Sequence, residues 1–201
     1  MHDLALGGAS IDGGLYTWIT GLAQRAPHAW NTVISYGTDY GLGLFAVLML
    51  LAWWHARRGE ARRMALVLAT PVVVVAAYLA NDVIKSLFDE QRPCRTLHTV
   101  TVEACPGIGD WSFPSNHSAV AAAAAVALIL CGSRLGRIAV PAALLMAASR
   151  VWVGAHYPHD VVAGLLTGAL VAWALMRLAH RAAPAVERVR ATRLRPLVAV
   201  R

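Results

Sequence analysis

The chain has 201 residues, of which 58% are hydrophobic and 14% charged, against about 25% charged in an ordinary soluble domain. A mean hydropathy of +0.53 excludes disorder, a fibrous repeat and a lysine-dressed nucleic-acid module. The net charge of +7 is explained by where the arginines fall rather than by a polyanionic partner. The expectation is an all-α polytopic membrane helix bundle: a single domain over 1–180, then a basic cytoplasmic tail over 181–201.

In chain order, Met1–Ser10 has neither a basic start nor an apolar core, so no cleavable signal is read there. Over 13–36, Leu15, Trp18, Ile19 and Leu22 form one apolar stripe at helical spacing, but Arg25, Pro27 and His28 interrupt any span. This segment reads as an amphipathic helix lying on the membrane surface, with a strained sixth span as the alternative. A bilayer core about 30 Å thick needs about 20 apolar residues per helix. The runs 41–54 with its flanks, 64–84, 136–155 and 160–179 qualify. A fifth, 117–132, is short and alanine-rich, which suits the centre of a bundle where small residues let helices approach closely.

The arginines set an orientation. The links at 55–63 and 133–137 and the tail from Arg177 onward hold thirteen of the 18 basic residues, and with five spans all three fall on one side. That side is expected to be the cytoplasm, the tail meeting anionic headgroups. The N-terminus, the 86–115 loop and the 155–159 turn then face outward. Cys94 and Cys105 lie in that outer loop, where oxidation is permitted and spacing leaves a bridge between them open. Cys131 reads as a small buried apolar residue.

Charged groups at the mouths of spans are costly and usually functional, and three clusters converge on the outer ends. The first is Lys85, the sole lysine, with Arg92-Pro93. On a continued helix both cations would share a face; alone, Lys85 could simply snorkel. The second is Pro114-Ser115-Asn116-His117, where Ser115 is a plausible N-cap and the free N–H groups of the helix start suit phosphate. The third is Ser149-Arg150, then His156 and Asp160. Gly154 and Pro158 predict a break, so that the four-residue step from His156 to Asp160 lets a carboxylate hold one imidazole nitrogen and leave the other free to attack. His159 reads as a spectator. Asp82, Asp89, Glu90, Glu103 and Asp110 are scattered and read as polar loop or helix-end residues, with no metal site expected.

The pattern Lys85-x6-Arg92-Pro93, Pro114-Ser115-Asn116-His117 and Ser149-Arg150-x5-His156-x3-Asp160 resembles the three motifs of the type 2 phosphatidic acid phosphatase superfamily. The stretches Ser112-Phe113-Pro114-Ser115 and Ser149–Gly154 followed by His156-Tyr157-Pro158 look more narrowly like the bacitracin-resistance type of undecaprenyl-diphosphate phosphatase. Asn116 departs from the family's usual glycine, and both residues tolerate positive φ. The resemblance implies a metal-independent, cofactor-free membrane enzyme. His156 would attack phosphorus, Asp160 would orient it, and His117 would protonate the leaving oxygen. Lys85, Arg92, Ser115, Asn116 and Arg150 would bind the phosphate. The implied substrate is a lipid phosphate, with undecaprenyl diphosphate first and phosphatidate or phosphatidylglycerophosphate as alternatives. A lipid phosphotransferase is the competing enzyme class, and a non-enzymatic lipid carrier the competing binding function. Membrane lipids are the only other expected partner, nucleic acid is not one, and the oligomeric state is left open.

Overall fold

A computed structural model describes residues 7–199, and within them every regular element is helical. Residues 1–6, where no signal was read, and Val200 and Arg201 of the tail lie outside the described residues. The helices are α1 (Gly8–Arg25), α2 (His28–Tyr40), α3 (Leu42–Ala56), α4 (Ala61–Lys85), α5 (Pro93–Thr96), α6 (Asn116–Leu130), α7 (Gly136–Trp152), α8 (Pro158–Ala179), α9 (Ala183–Arg190) and α10 (Arg195–Val198).

The sequence dictates these boundaries locally. Pro114 precedes α6, and the Ser115 hydroxyl caps it by accepting from the Ser118 amide at 3.5 Å. α7 stops at Trp152, after which Gly154 takes a φ of +89°, where an added Cβ would fall 2.3 Å from the Thr101 side chain. α8 restarts with Pro158 at its first position, where no amide hydrogen is needed.

α6 is the axis. Ala119, Ala121, Ala123, Ala124 and Ala127 are fully buried, enclosed by α3, α4, α7 and α8. Cβ atoms at Gly164 and Gly168 of α8 would lie 2.4 Å from the Ser115 carbonyl and 2.0 Å from that of Ala119. Only glycine permits this backbone-to-backbone approach, which supplies close packing where surrounding lipid would offer no hydrophobic gain. The outside is inverted relative to a water-soluble protein. Leu50, Val72, Leu79, Leu145, Leu166 and Leu170 are each more than half exposed.

Two helices are long and apolar enough to cross a membrane, Ala61–Lys85 and the continuous run Pro158–Arg190. A third crossing arises if α2 and α3, bent by 50° at Gly41, act as one broken span. The expected spans over 117–132 and 136–155 appear as helices of 15 and 17 residues, about 22 and 25 Å long, so length alone does not make them crossings. Residues 13–36 form two helices rather than one, because Pro27 follows the last turn of α1 and starts α2 on a new axis. In α1 the expected apolar stripe points away from the protein at Leu15 and Trp18, while Gly13, Tyr16, Thr20 and Ala23 pack inward. The basic 181–201 segment is not loose where described. Val186 and Val198 join the core, and Arg190 donates to the Gly59 carbonyl at 2.7 Å.

Candidate active site

The C-terminal ends of α4 and α7, the N-terminal ends of α6 and α8, and the 86–115 loop meet at one end of the bundle. α4 ends at Lys85, so Arg92 does not share its helical face as a continued helix would require. The chain turns through 86–91 and returns Arg92 beneath the α7–α8 break, where it is buried.

His156 sits in that break with 2% of its surface exposed. Its Nε2 receives Arg92 Nη1 at 3.0 Å, and its Nδ1 lies 3.4 Å from Asp160 Oδ2. Burial, then Arg92, Arg150, Lys85 and His117, hold its imidazole well below the ordinary value. The ring is therefore neutral at neutral pH, with Nδ1–H turned to the carboxylate and a lone pair on Nε2. Arg92, Arg150, Lys85 and His117, drawn from three separate stretches, thus all act electrostatically on one imidazole.

Four of the five Arg92 N–H groups are engaged. Beyond His156, Arg92 donates from Nη1 to the Ala155 carbonyl at 2.9 Å, from Nη2 to Asp110 Oδ1 at 2.7 Å and from Nε to the Asp110 carbonyl at 3.0 Å. Lys85 Nζ donates to the Trp111 carbonyl at 3.0 Å. Arg150 Nη1 donates to Thr38 Oγ1 at 2.9 Å and reaches Glu103 Oε2 at 3.4 Å. Glu103 is steadied by Ser35 of α2 at 3.3 Å; burial pushes its carboxyl up, against the pull of Arg150. Cys94 and Cys105 are disulfide-bonded, their Cα atoms 6.0 Å apart, in the loop that carries Glu103.

At the start of α6 the Ser115 hydroxyl accepts from both the amide and the hydroxyl of Ser118, the latter at 3.2 Å, which leaves its own hydrogen to donate. Its amide donates to the Asp160 carbonyl at 3.0 Å, so α6 and α8 are joined at their first turns. Asn116 lies within the helix, and the only non-glycine residue with positive φ among those described is His98. Asn116 is held instead by its side chain, whose Oδ1 accepts from Asn81 of α4 at 2.6 Å.

One expectation widens and two need correcting. Asp160 serves more than His156: its Oδ2 also accepts from the Tyr157 amide at 2.8 Å and from the Ser112 hydroxyl. His159 is not a spectator, since its ring bonds to Asp12 and Glu90 and approaches Asp160. The acids are not scattered in space, since Glu103 and Asp110 neutralise arginines and Glu90 lies buried beside His159. The signal in the sequence was electrostatic: cations gathered out of water need counter-charges, and the 86–115 loop carries Asp89, Glu90, Glu103 and Asp110.

Buried donors around a neutral imidazole with a carboxylate behind it suit transfer of a phosphoryl group, whose charge spreads over three oxygens. The comparisons with known proteins agree. Undecaprenyl-diphosphatase BcrC of Bacillus subtilis (strain 168) is 29% identical over 161 residues, covering 79% of this chain and 80% of that protein. The bacitracin transport permease protein BcrC of Bacillus licheniformis is 31% identical over 142 residues, 71% of this chain and 68% of that one. An undecaprenyl-diphosphatase of Sulfolobus acidocaldarius is 33% identical over 101 residues, about half of each chain. No solved structure is significantly similar. Residues 66–184, which include all three motifs, match the PAP2 superfamily; the chain belongs to that superfamily and is a phosphatase.

Proposed function

We propose that the protein hydrolyses a polyprenyl diphosphate, with undecaprenyl diphosphate as the preferred substrate, to the monophosphate through a phosphohistidine at His156. The observation that carries this is the pairing at His156, whose Nε2 faces a buried guanidinium while its Nδ1 faces a buried carboxylate. His156 Nε2 attacks the terminal phosphorus, an N–P bond forms and the P–O bond to the lipid phosphate breaks. His117 gives the departing oxygen its proton, then takes one from the water that cleaves the N–P bond and releases inorganic phosphate. Asp160 holds Nδ1–H and offsets the positive charge of the phosphorylated ring. Lys85, Arg150, the Ser115 hydroxyl and the first amides of α6, Asn116 included, bind the phosphoryl oxygens. The Arg92 N–H now on His156 Nε2 turns to the phosphate when substrate arrives. No step uses a metal.

The bundle crosses the membrane five times, through α2–α3 as one broken span and through α4, α6, α7 and α8. The bundle opens its site outward and keeps the arginine-rich links and tail in the cytoplasm. The inverted exterior and the names of the relatives support a lipid substrate. The deciding experiment measures phosphate release by purified protein from undecaprenyl diphosphate, phosphatidate and phosphatidylglycerophosphate side by side, with acid-labile phosphohistidine trapped by rapid quench. Undecaprenyl diphosphate is expected to turn over fastest; a clear preference for either phospholipid replaces the substrate, and labelled phosphate appearing on an acceptor alcohol replaces hydrolysis by transfer.

A further inference from the structure

A second histidine lies behind the first. The His159 ring is stacked between Phe113 and Tyr157, with centroids at 5.9 and 5.4 Å. Both of its nitrogens face carboxylates. Nδ1 is 2.9 Å from Asp12 Oδ1, and Nε2 is 3.1 and 3.2 Å from the two oxygens of Glu90 and 3.3 Å from Asp160 Oδ1. A neutral imidazole would point a lone pair at one of these anions, whereas an imidazolium donates to both sides. Two aromatic faces over the ring favour the same charged form.

The surroundings need that charge. Glu90 and Asp160 are 1% and 0% exposed, and each offers an oxygen within 4.8 Å of the other and of His159. Two buried carboxylates at that range repel, and a cation between them lets both stay ionised. Asp160 Oδ2 is committed to Ser112, Tyr157 and His156. Its Oδ1 has no hydrogen-bond partner among the described residues and meets only the His159 approach. The far side of the ring is held by α1, which leaves helical geometry at Asp12 (φ −145°, ψ 23°). The Asp12 carboxylate also accepts from the His159 amide at 2.7 Å. α1 closes onto Glu90 as well, since a Cβ on Gly8 would stand 1.8 Å from Glu90 Oε1.

We propose that His159, held as an imidazolium between Asp12 of α1 and buried Glu90, is a positioning residue that fixes the Asp160 carboxylate against His156. It touches no substrate. This rests on the phosphatase reading above, and it makes the N-terminal helix, which precedes all three motifs, part of the machinery that orients the nucleophile.

The test is a double-mutant cycle on the full chain, with labelled undecaprenyl diphosphate as probe and thermal unfolding as the check on folding. His159→Gln is expected to lower kcat by about 10–100-fold, the usual cost of losing a group behind a catalytic one, with KM changed by less than about 2-fold because the phosphate ligands are untouched. In an Asp160→Asn background the same substitution is expected to cost almost nothing more. Asp12→Asn, at the more accessible end of the chain of bonds, is expected to give a several-fold loss of kcat alone and serves if His159→Gln does not fold. An equal loss from His159→Gln with and without Asp160, a loss confined to KM, or wild-type kcat in both single variants overturns the proposal. So does activity abolished by a chelator and restored by a divalent ion, because the cluster would then be a metal site. An active His156→Ala variant instead overturns the phosphatase mechanism on which the proposal stands.

Discussion

Along Ala119–Ala127 the α6 helix offers buried methyl groups to its neighbours, and Gly168 of α8 brings one backbone against the other. One turn earlier, at 115–118, the same helix is held by hydroxyls, an Asn–Asn bond and a link to the Asp160 carbonyl. The first region is stiff because nothing can be inserted into it. The second is specific because the Ser115 and Ser118 hydroxyls and Asn116 Oδ1 have partners that a change of residue would orphan. Substitutions should therefore separate cleanly, those in the alanine zone costing stability and those at the mouth costing turnover.

The largest separation is expected at His156. His156→Ala should lower turnover by on the order of 10⁴-fold or more while retaining lipid phosphate in a binding assay, and its melting temperature should stay near wild type. Removal of a phosphate donor comes next: Lys85→Met should cost about 10²–10³-fold in kcat. It takes away a partly buried cation that Arg92 already repels, so thermal stability should hold or rise. If Lys85→Met instead melts the protein with activity per folded molecule intact, the mouth is structural and the comparison fails. In the alanine zone, Gly168→Val should destabilise by about 1–3 kcal/mol or more through overpacking, read by thermal unfolding, with KM unchanged in whatever remains folded. The pH response should be the mildest effect. Burial and neighbouring cations depress His156, so the nucleophile stays unprotonated as pH falls through the usual imidazole range near about 6.5. The rate of phosphohistidine formation should thus not fall from about pH 7.5 to 6, and should rise as the falling pH supplies the proton that His117 delivers; a fall centred near about 6.5 would show an unperturbed nucleophile.

Sidedness has its own assay. Ile108 is 90% exposed in the 86–115 loop, and Ile108→Cys should react with an impermeant thiol reagent in intact cells, whereas Glu60→Cys should not. The opposite labelling pattern would place the site in the cytoplasm and leave its chemistry standing.

Much of the bundle was legible from hydropathy because helices in lipid must satisfy their own backbones and carry apolar surface outward. The five apolar runs correspond to α3, α4, α6, α7 and α8, and the break between Trp152 and Pro158 could be read from Gly154 and Pro158. The placing of Lys85, Ser115, Arg150, His156 and Asp160 at helix ends was legible from motif order and from the Pro and Gly residues beside them. What was hidden depends on irregular backbone. No periodicity reports that 86–91 doubles back, that the disulfide loop delivers Glu103 to Arg150, or that α1 kinks at Asp12 to reach a histidine 147 positions away. Asn116 misled for a related reason: a residue type that tolerates positive φ was kept here for its amide, which spans to Asn81.

The enclosure of His156 has a kinetic corollary. With 2% of the ring open to solvent and Arg92 resting on Nε2, there is room at phosphorus for one guest at a time. Under the proposed reaction the spent lipid must vacate before water can enter from the same direction, giving ping-pong order with orthophosphate as the last product off and a competitor of the next incoming headgroup.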